Sequence, residues 1–521
     1  MCDTKSLYKK RIETARQIMR AILFTLLGLT IVIQTAYAQT ITNFNESGGQ
    51  VTKFDNLGNA VDAHDGEIAL FNGVYYLYGT SYDCGFEWGN KKAPFCGFKV
   101  YTSTDLHHWA DKGFLFDAKT AIWQTRCDGK TYGCFRPHVI FNKKTGLYVL
   151  WINVYDNRVG YRVFTSKKPV GPFTEVKEPT LAVNSDMPAA GLNNGDHDTF
   201  VDDDGTAYLA YTDWRTKGSI VIEKLTPDYL TGTGLHVKSI TAGNTEAPAL
   251  FKRKGIYYLV YSDPNCGYCS GTGASYRTAK SPLGPWSEGI KITDNSCGGQ
   301  PSFVSTIKLQ AGTVFLFGSD LWNNAAKNEA LANFYWAPLT FAADGSINPI
   351  TCEKNVKFFK AKSKSQQPVN VSPPAENFTS GCDIGQNNQR AQGFTPQHSG
   401  TLNKLAFTTF KSGYPDAELT IELYHSDGTA KPIGHPLASV SLPADSISWS
   451  PKTRLFYPKV AVTAGEHYTL VIRSSTSAGC YGFEYKNISS GLDDIAMASH
   501  DGGVSFIEEK NRALKFRVFI Q

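Results

Sequence analysis

Five stretches of the chain repeat one pattern, a short apolar strand, a glycine turn and an aromatic-rich strand. The turns and second strands read GVYYLYGTSY from Gly73, GLYVLWINVY from Gly146, GTAYLAYTDW from Gly205, GIYYLVYSDP from Gly255 and GTVFLFGSDL from Gly312. EIALF, HVIFN, DTFV, APALF and PSFVSTI precede them. A third extended segment follows each, as in GFKVYTSTDLHHW and GYRVFTSKKPVGPF. The turn glycines recur every 50 to 73 residues, with no convincing helix between them. Three or four antiparallel strands repeated at that interval predict propeller blades rather than a sandwich, and five copies predict five blades.

At Lys360 the pattern gives way to KAKSKSQQPVNVSPPAE, a polar, proline-containing linker. Beyond it LAFTTF, AELTIELY, HYTLVIRSS and ALKFRVFIQ alternate between Gly, Pro and Asp turns. The expected fold is therefore all-β. A five-bladed β-propeller over 39–359 leads through a linker at 360–376 to a β-sandwich over 377–521. Because the blades close their own core, the propeller is expected to fold without the sandwich.

Composition agrees with this picture. Of 521 residues, 41% are hydrophobic and 13% aromatic, with only 4 Met, a balance that suits pleated surfaces. The segment from Met19 joins a basic residue, an apolar run and the small-x-small ending Ala36-Tyr37-Ala38, the pattern of an export signal over residues 1–38. Its apolar run, Ala21 to Ile33, is shorter than the roughly 20 residues of a membrane span. Translation from Met19 would give a leader of ordinary length. The mature chain, secreted or periplasmic, then has no membrane span.

Removing residues 1–38 leaves 46 basic against 45 acidic residues, so no charge stripe points to nucleic acid, and a neutral partner and a monomer are expected. Ten of the 11 Cys lie beyond the leader. In an exported chain they predict disulfides, here Cys84–Cys96, Cys127–Cys134 and Cys382–Cys480. Cys266 and Cys269 read as a loop staple, since no second CxxC or CxxH accompanies them to make a zinc site.

In a propeller the first strands of all blades line the channel and start at one end. That rule gathers Asp65, Arg136, Asp196 or Asp198, Glu246 and Gln300 at one funnel mouth. Trp214 and Trp322 follow second strands and reach the same mouth, where they can stack on a sugar face. His64 and His138 read as second-shell or core groups as readily as ligands. Asp202, Asp203 and Asp204 read as a solvated hairpin turn rather than a calcium loop. Carboxylates and an arginine in a neutral aromatic pocket suit glycosidic cleavage, in which one protonated acid assists the leaving oxygen and one ionised acid activates water. Glu246, among apolar neighbours in NTEAPALF, suits the acid, and Asp65 the base. Asp196 would keep Glu246 protonated by like-charge repulsion. Arg136 would hold the Asp65 charge or sugar hydroxyls.

HDGEI, RPHVIFN, GDHDTFVDDDGTAYLAY and TEAPALFKRKGIYYLVYS resemble, in order, the motifs of glycoside hydrolase family 43 over about residues 55–345. The resemblance implies an inverting propeller enzyme that trims plant polysaccharides, with Asp65 as base, Asp196 as pKa modulator and Glu246 as acid. Asp198 competes for the modulator role. His64, Arg136, Asp198, Trp214, Gln300 and Trp322 are the expected substrate contacts. Two departures stand out. Gly66 replaces the proline of the family's Asp-Pro-x-Ile, and Gln300 stands where many members carry a histidine near a channel calcium, so no metal or cofactor is expected. FDNLGNAVDAHDGEI and GSDLW look more like the branch of exo-acting galactanases and arabinogalactan-trimming furanosidases than like the arabinan endo-enzymes. The expected function is removal of terminal arabinofuranosyl or galactosyl residues from polysaccharides such as arabinogalactan. The alternatives are a xylosidase or exo-1,3-galactanase of the same fold, or a non-catalytic carbohydrate-binding propeller.

Overall fold

The computed structural model describes residues 38–86, 93–265, 271–309, 312–322, 328–359, 377–488 and 495–521. The leader, the linker and the Cys266/Cys269 pair fall outside the described residues. Five antiparallel sheets follow one another along the chain, and each opens on a channel-lining strand. These inner strands are His64–Phe71, Cys134–Asn142, Asn194–Val201, Glu246–Arg253 and Gln300–Leu309. Blades 1 to 4 have four strands and blade 5 has three. Each inner strand pairs with the aromatic-rich strand beyond its turn glycine, as the repeats require.

The aromatic strands are buried on both faces because each blade packs between two others. In Leu147–Val154 of blade 2, Leu150 and Ile152 share a core cluster with Tyr78 of blade 1, while Val149 and Trp151 share one with Leu209 and Tyr211 of blade 3. Period-two alternation sends successive side chains to opposite faces. The acidic turn bridges blades: Asp202 pairs with Lys252 (2.7 Å) and Asp203 with Lys308 (3.4 Å). Blade 5 is completed at its edge by the N-terminal segment. Asn43 accepts from Trp336 N (3.0 Å) and donates to Trp336 O (3.1 Å), imitating a strand partner.

Residues from 379 onward form a seven-stranded and a six-stranded sheet. Leu402, Leu405, Leu419, Ile421, Leu423 and Phe483 are among the side chains buried between them, making a β-sandwich. Cys84–Cys96, Cys127–Cys134 and Cys382–Cys480 are disulfide-bonded, and so are Cys297 and Cys352. Among the described residues no helix is long and apolar enough to cross a membrane.

The propeller packs against the sandwich. Residues 39–521 form one compact unit. Trp449 of the sandwich is buried in the same cluster as Tyr82, Phe86 and Trp322 of the propeller. It fits over Gly85, where an added Cβ would lie 2.3 Å from the indole. Beside it Asp83 accepts from Ser450 N (3.0 Å) and Oγ (2.6 Å) and pairs with Lys452. Asn328 donates to Trp449 O (2.9 Å) and Lys411 O (3.0 Å). A polar linker does not imply independent bodies when the surfaces beyond it match.

Candidate active site

All five inner strands break their pairing register at the same end. The breaks fall between His64 and Glu67, Phe135 and His138, Asn194 and His197, Glu246 and Ala249, and Pro301 and Phe303. An extra residue at such a bulge leaves the ladder and re-aims a side chain. Asp65 (φ 54°), Arg136 (φ 55°) and Ala247 (φ 50°), the residue after Glu246, take the left-handed conformation there. Each such residue costs on the order of 1–3 kcal/mol, which neighbouring structure must hold in place. Pro137 and Pro248 occupy bulges where no ladder N–H is needed. In blade 1 that place belongs to Gly66, because a Cβ would sit 2.1 Å from Tyr78 O. The close approach of the second strand accounts for the departure from Asp-Pro.

The bulges open onto a cavity of about 340 Å³ lined by Asp65, Phe135, Arg136, Tyr155, Ala190, Gly191, Asp196, Trp214, Glu246, Asn265, Gln300 and Trp322. Asp65 accepts from Thr80 Oγ1 (2.7 Å), Tyr82 OH (3.2 Å) and Arg136 N (3.3 Å), and its own N–H donates to Asp320 (3.1 Å). Arg136 spans the channel. Its guanidinium donates to Asp196 (2.7 Å) and to the carbonyls of Pro301 (3.3 Å) and Ser302 (3.1 Å) in blade 5. Gln300 donates to Glu246 Oε1.

Burial pushes Glu246 up to about 8, and the Asp196 charge adds to the rise against the opposing pull of Arg136 and hydrogen bonds from Asn265 and Gln300. Burial likewise raises Asp65 to about 7, with Arg136 pulling down and Asp320 and Asp196 pushing up. Both carboxyls are thus held well above the ordinary carboxylate range, chiefly by burial. Arg136 is raised in turn by Asp196 and Asp65, which outweigh its burial, so it stays charged.

Of the residues expected at the mouth, Asp65, Arg136, Asp196, Trp214, Glu246, Gln300 and Trp322 line the cavity, and His64 and Asp198 do not. His64 is fully buried behind Asp65, stacked on Phe334 (5.2 Å between centroids) with Nε2 3.4 Å from Asp62. Asp62 also accepts from Tyr82 N (2.8 Å), so this group supports the tyrosine that bonds Asp65. Asp198 lies two residues further along its strand than Asp196, past the bulge. There it accepts from Leu250 N (2.6 Å) and contacts His138 (3.1 Å), joining blade 3 to blades 4 and 2. Among the described residues no group of three or more His, Cys, Asp or Glu is placed to hold a metal ion.

Sequence reasoning missed Phe135, Tyr155 and Asn265. Tyr155 was within reach: Tyr155, Trp214 and Trp322 each come directly after a second strand, ending at Val154, Asp213 and Leu321. The rule that singles out the two tryptophans selects this tyrosine as well. Trp214 lies over Gly195 and Gly218, where added Cβ atoms would fall 2.3 and 3.0 Å from its ring.

The family model for Glycosyl hydrolases family 43 matches residues 56–345. A β-D-galactofuranosidase from Aspergillus niger is 29% identical over 231 residues, 43% of this chain and 62% of that protein. An arabinoxylan arabinofuranohydrolase from Bacillus subtilis is 26% identical over 290 residues, 49% of this chain and 53% of that protein. The matches thus take in less than two thirds of either curated relative. An exo-β-1,3-galactanase from Clostridium thermocellum superposes with a TM-score of 0.52 at 24% identity, covering 70% of this chain and 73% of that one, a likeness of fold. With a family match over more than half of its 521 residues, the chain belongs to glycosyl hydrolases family 43.

Proposed function

We propose that this is an exported, inverting, exo-acting hydrolase that removes terminal arabinofuranosyl or galactosyl residues from polysaccharides such as arabinogalactan. The observation that carries the proposal is the convergence of Asp65, Asp196 and Glu246, from blades 1, 3 and 4, on one small cavity where burial and the Asp196 charge push Glu246 up. Glu246 donates its proton to the departing glycosidic oxygen. Asp65 takes a proton from the water that attacks the anomeric carbon from the opposite face. Asp196, fixed by Arg136, keeps Glu246 protonated until the sugar is bound.

A volume of about 340 Å³ lies at the small end of the roughly 300–1,000 Å³ usual for ligand sites, which suits one terminal sugar unit. Trp214, Trp322, Tyr155 and Phe135 offer apolar faces to a ring. Two of the relatives are named for furanosides, one a galactofuranosidase and one an arabinofuranohydrolase, which favours a five-membered ring at the cleaved end. The leader-like segment and the disulfides favour export. Hydrolysis of a panel of nitrophenyl arabinofuranosides, galactofuranosides, galactopyranosides and xylosides, followed by product analysis on arabinogalactan, tests the assignment. Release of single terminal sugars is expected. Internal cleavage, or no cleavage of any member, would overturn it.

A further inference from the structure

A second cavity, of about 570 Å³, lies where the propeller meets the sandwich and shares no lining residue with the active site. On the propeller side it is formed by residues 51–58 and by the turn carrying Trp109, between the third and fourth strands of blade 1. Inner strands begin at the mouth, so that turn belongs to the opposite end of the blade. On the sandwich side it is formed by the outer face of the seven-stranded sheet, where Leu455 and Arg517 flank Ala406 from the two strands paired with it.

Cationic side chains outnumber carboxylates in the lining of this cavity, with the buried Glu484 carboxylate lying behind it beside Lys515 and Thr52. Lys53 Nζ donates to Thr42 O (3.1 Å) and lies 4.8 Å from the Trp336 ring. Burial lowers its pKa to about 7, and among the described residues no carboxylate offsets that shift. Lys515 lies 3.9 Å over the Phe54 ring and donates to Gly58 O (2.9 Å) and Thr408 Oγ1 (3.2 Å). Arg517 is exposed on the same wall. The one acidic lining residue, Asp55, spends its oxygens on the N–H groups of Leu57 and Asn59 (both 2.9 Å) and on the Asn59 side chain. A partly buried ammonium without a counter-charge is costly, and a bound carboxylate would relieve that cost. Apolar surface from the half-buried Phe54 and the exposed Phe519 adds faces on which a ring can rest.

We propose that this junction groove binds a uronic-acid-bearing saccharide, with the sugar carboxylate facing Lys53 and Arg517. That the ligand is a saccharide rests on the carbohydrate reading of the active site; that it is anionic rests on the groove alone. Such a site would hold an acidic branch of a polymer away from the end being trimmed.

Calorimetry on the full chain carrying Glu246→Gln, which removes turnover, tests the proposal directly. Three probes are compared: a galactobiose bearing a terminal glucuronate, its carboxyl-reduced counterpart, and inorganic phosphate. The glucuronate is expected to bind at least tenfold more tightly than the reduced form, and Arg517→Ala to remove most of that difference. Lys53→Met is a second probe of the same charge. The Arg517→Ala enzyme without the Glu246 change is expected to hydrolyse small neutral glycosides at the unaltered rate. Equal binding of the charged and reduced sugars would overturn the proposal. So would phosphate binding as tightly as the glucuronate, or a charge preference indifferent to Arg517→Ala. Failure to hydrolyse the glycoside panel would instead sink the reading of the active site and leave the binding result standing.

Discussion

Replacing Trp449 with alanine removes a sandwich side chain from the propeller's own core. The indole is 7% exposed, meets the Tyr414 ring edge-on at 5.3 Å and lies against Gly85. Truncating a buried tryptophan costs about 3–5 kcal/mol, and here the cavity borders a rigid β-scaffold with little freedom to collapse. With a urea slope of about 3 kcal/mol per molar, the unfolding midpoint should fall by roughly 1–1.7 M. The effect reaches the active site through two neighbours in the same cluster. Tyr82 donates to Asp65, and Trp322 meets Tyr82 edge-on (5.9 Å) while lining the catalytic cavity. A loss of about 1.4 kcal/mol in transition-state positioning would lower kcat/KM about tenfold. Urea unfolding by fluorescence and steady-state kinetics on a nitrophenyl glycoside measure both effects, and Trp449→Phe should restore most of each. A midpoint within 0.3 M of wild type (~1 kcal/mol at that slope) together with unchanged kcat/KM would refute the idea that the sandwich supports the site.

Glu246→Gln and Asp65→Asn should each reduce kcat at least about 10²-fold with the fold intact by circular dichroism, since each deletes one proton-transfer partner. Turnover near wild type in either would reassign that residue. With Asp65 near 7 and Glu246 near 8, activity should rise through pH 7 as the base ionises and fall above pH 8 as the acid loses its proton. Asp196 raises both groups, so Asp196→Asn should move the whole bell toward acid, most clearly on its alkaline limb; a shift produced by Asp198→Asn instead would make that residue the modulator. Gly66→Ala should displace Asp65 and cost both stability and kcat, because its Cβ would meet Tyr78 O. Wild-type kinetics in this variant would show that the strand can give way.

The blades were legible because each hairpin needs a turn glycine and an aromatic strand buried on both faces, features that repeat in plain sequence. The convergence of Asp65, Arg136 and Glu246 was legible for the same reason, since equivalent strands start at one end. The bulges were not. A single extra residue leaves period-two patterning nearly unchanged, yet it separates Asp196, which faces the cavity, from Asp198, which faces Leu250 N and His138. His64 read as a mouth residue by adjacency to Asp65, but neighbours in a strand point to opposite sides. The Cys297–Cys352 bond and the seat of Trp449 over Gly85 depend on contacts between distant segments, which local pattern does not carry.

Inversion at the anomeric carbon is the most direct test of the two-carboxylate account. Asp65 and Glu246 enter from blades 1 and 4 and face each other across the channel, an arrangement expected to give the roughly 6.5–9.5 Å separation that admits a water, rather than the ~5 Å of direct attack. Proton NMR of the first sugar released, recorded before mutarotation, should show the anomer opposite to that of the substrate. The retained anomer would make one carboxylate a nucleophile and contradict the role assigned to Asp65.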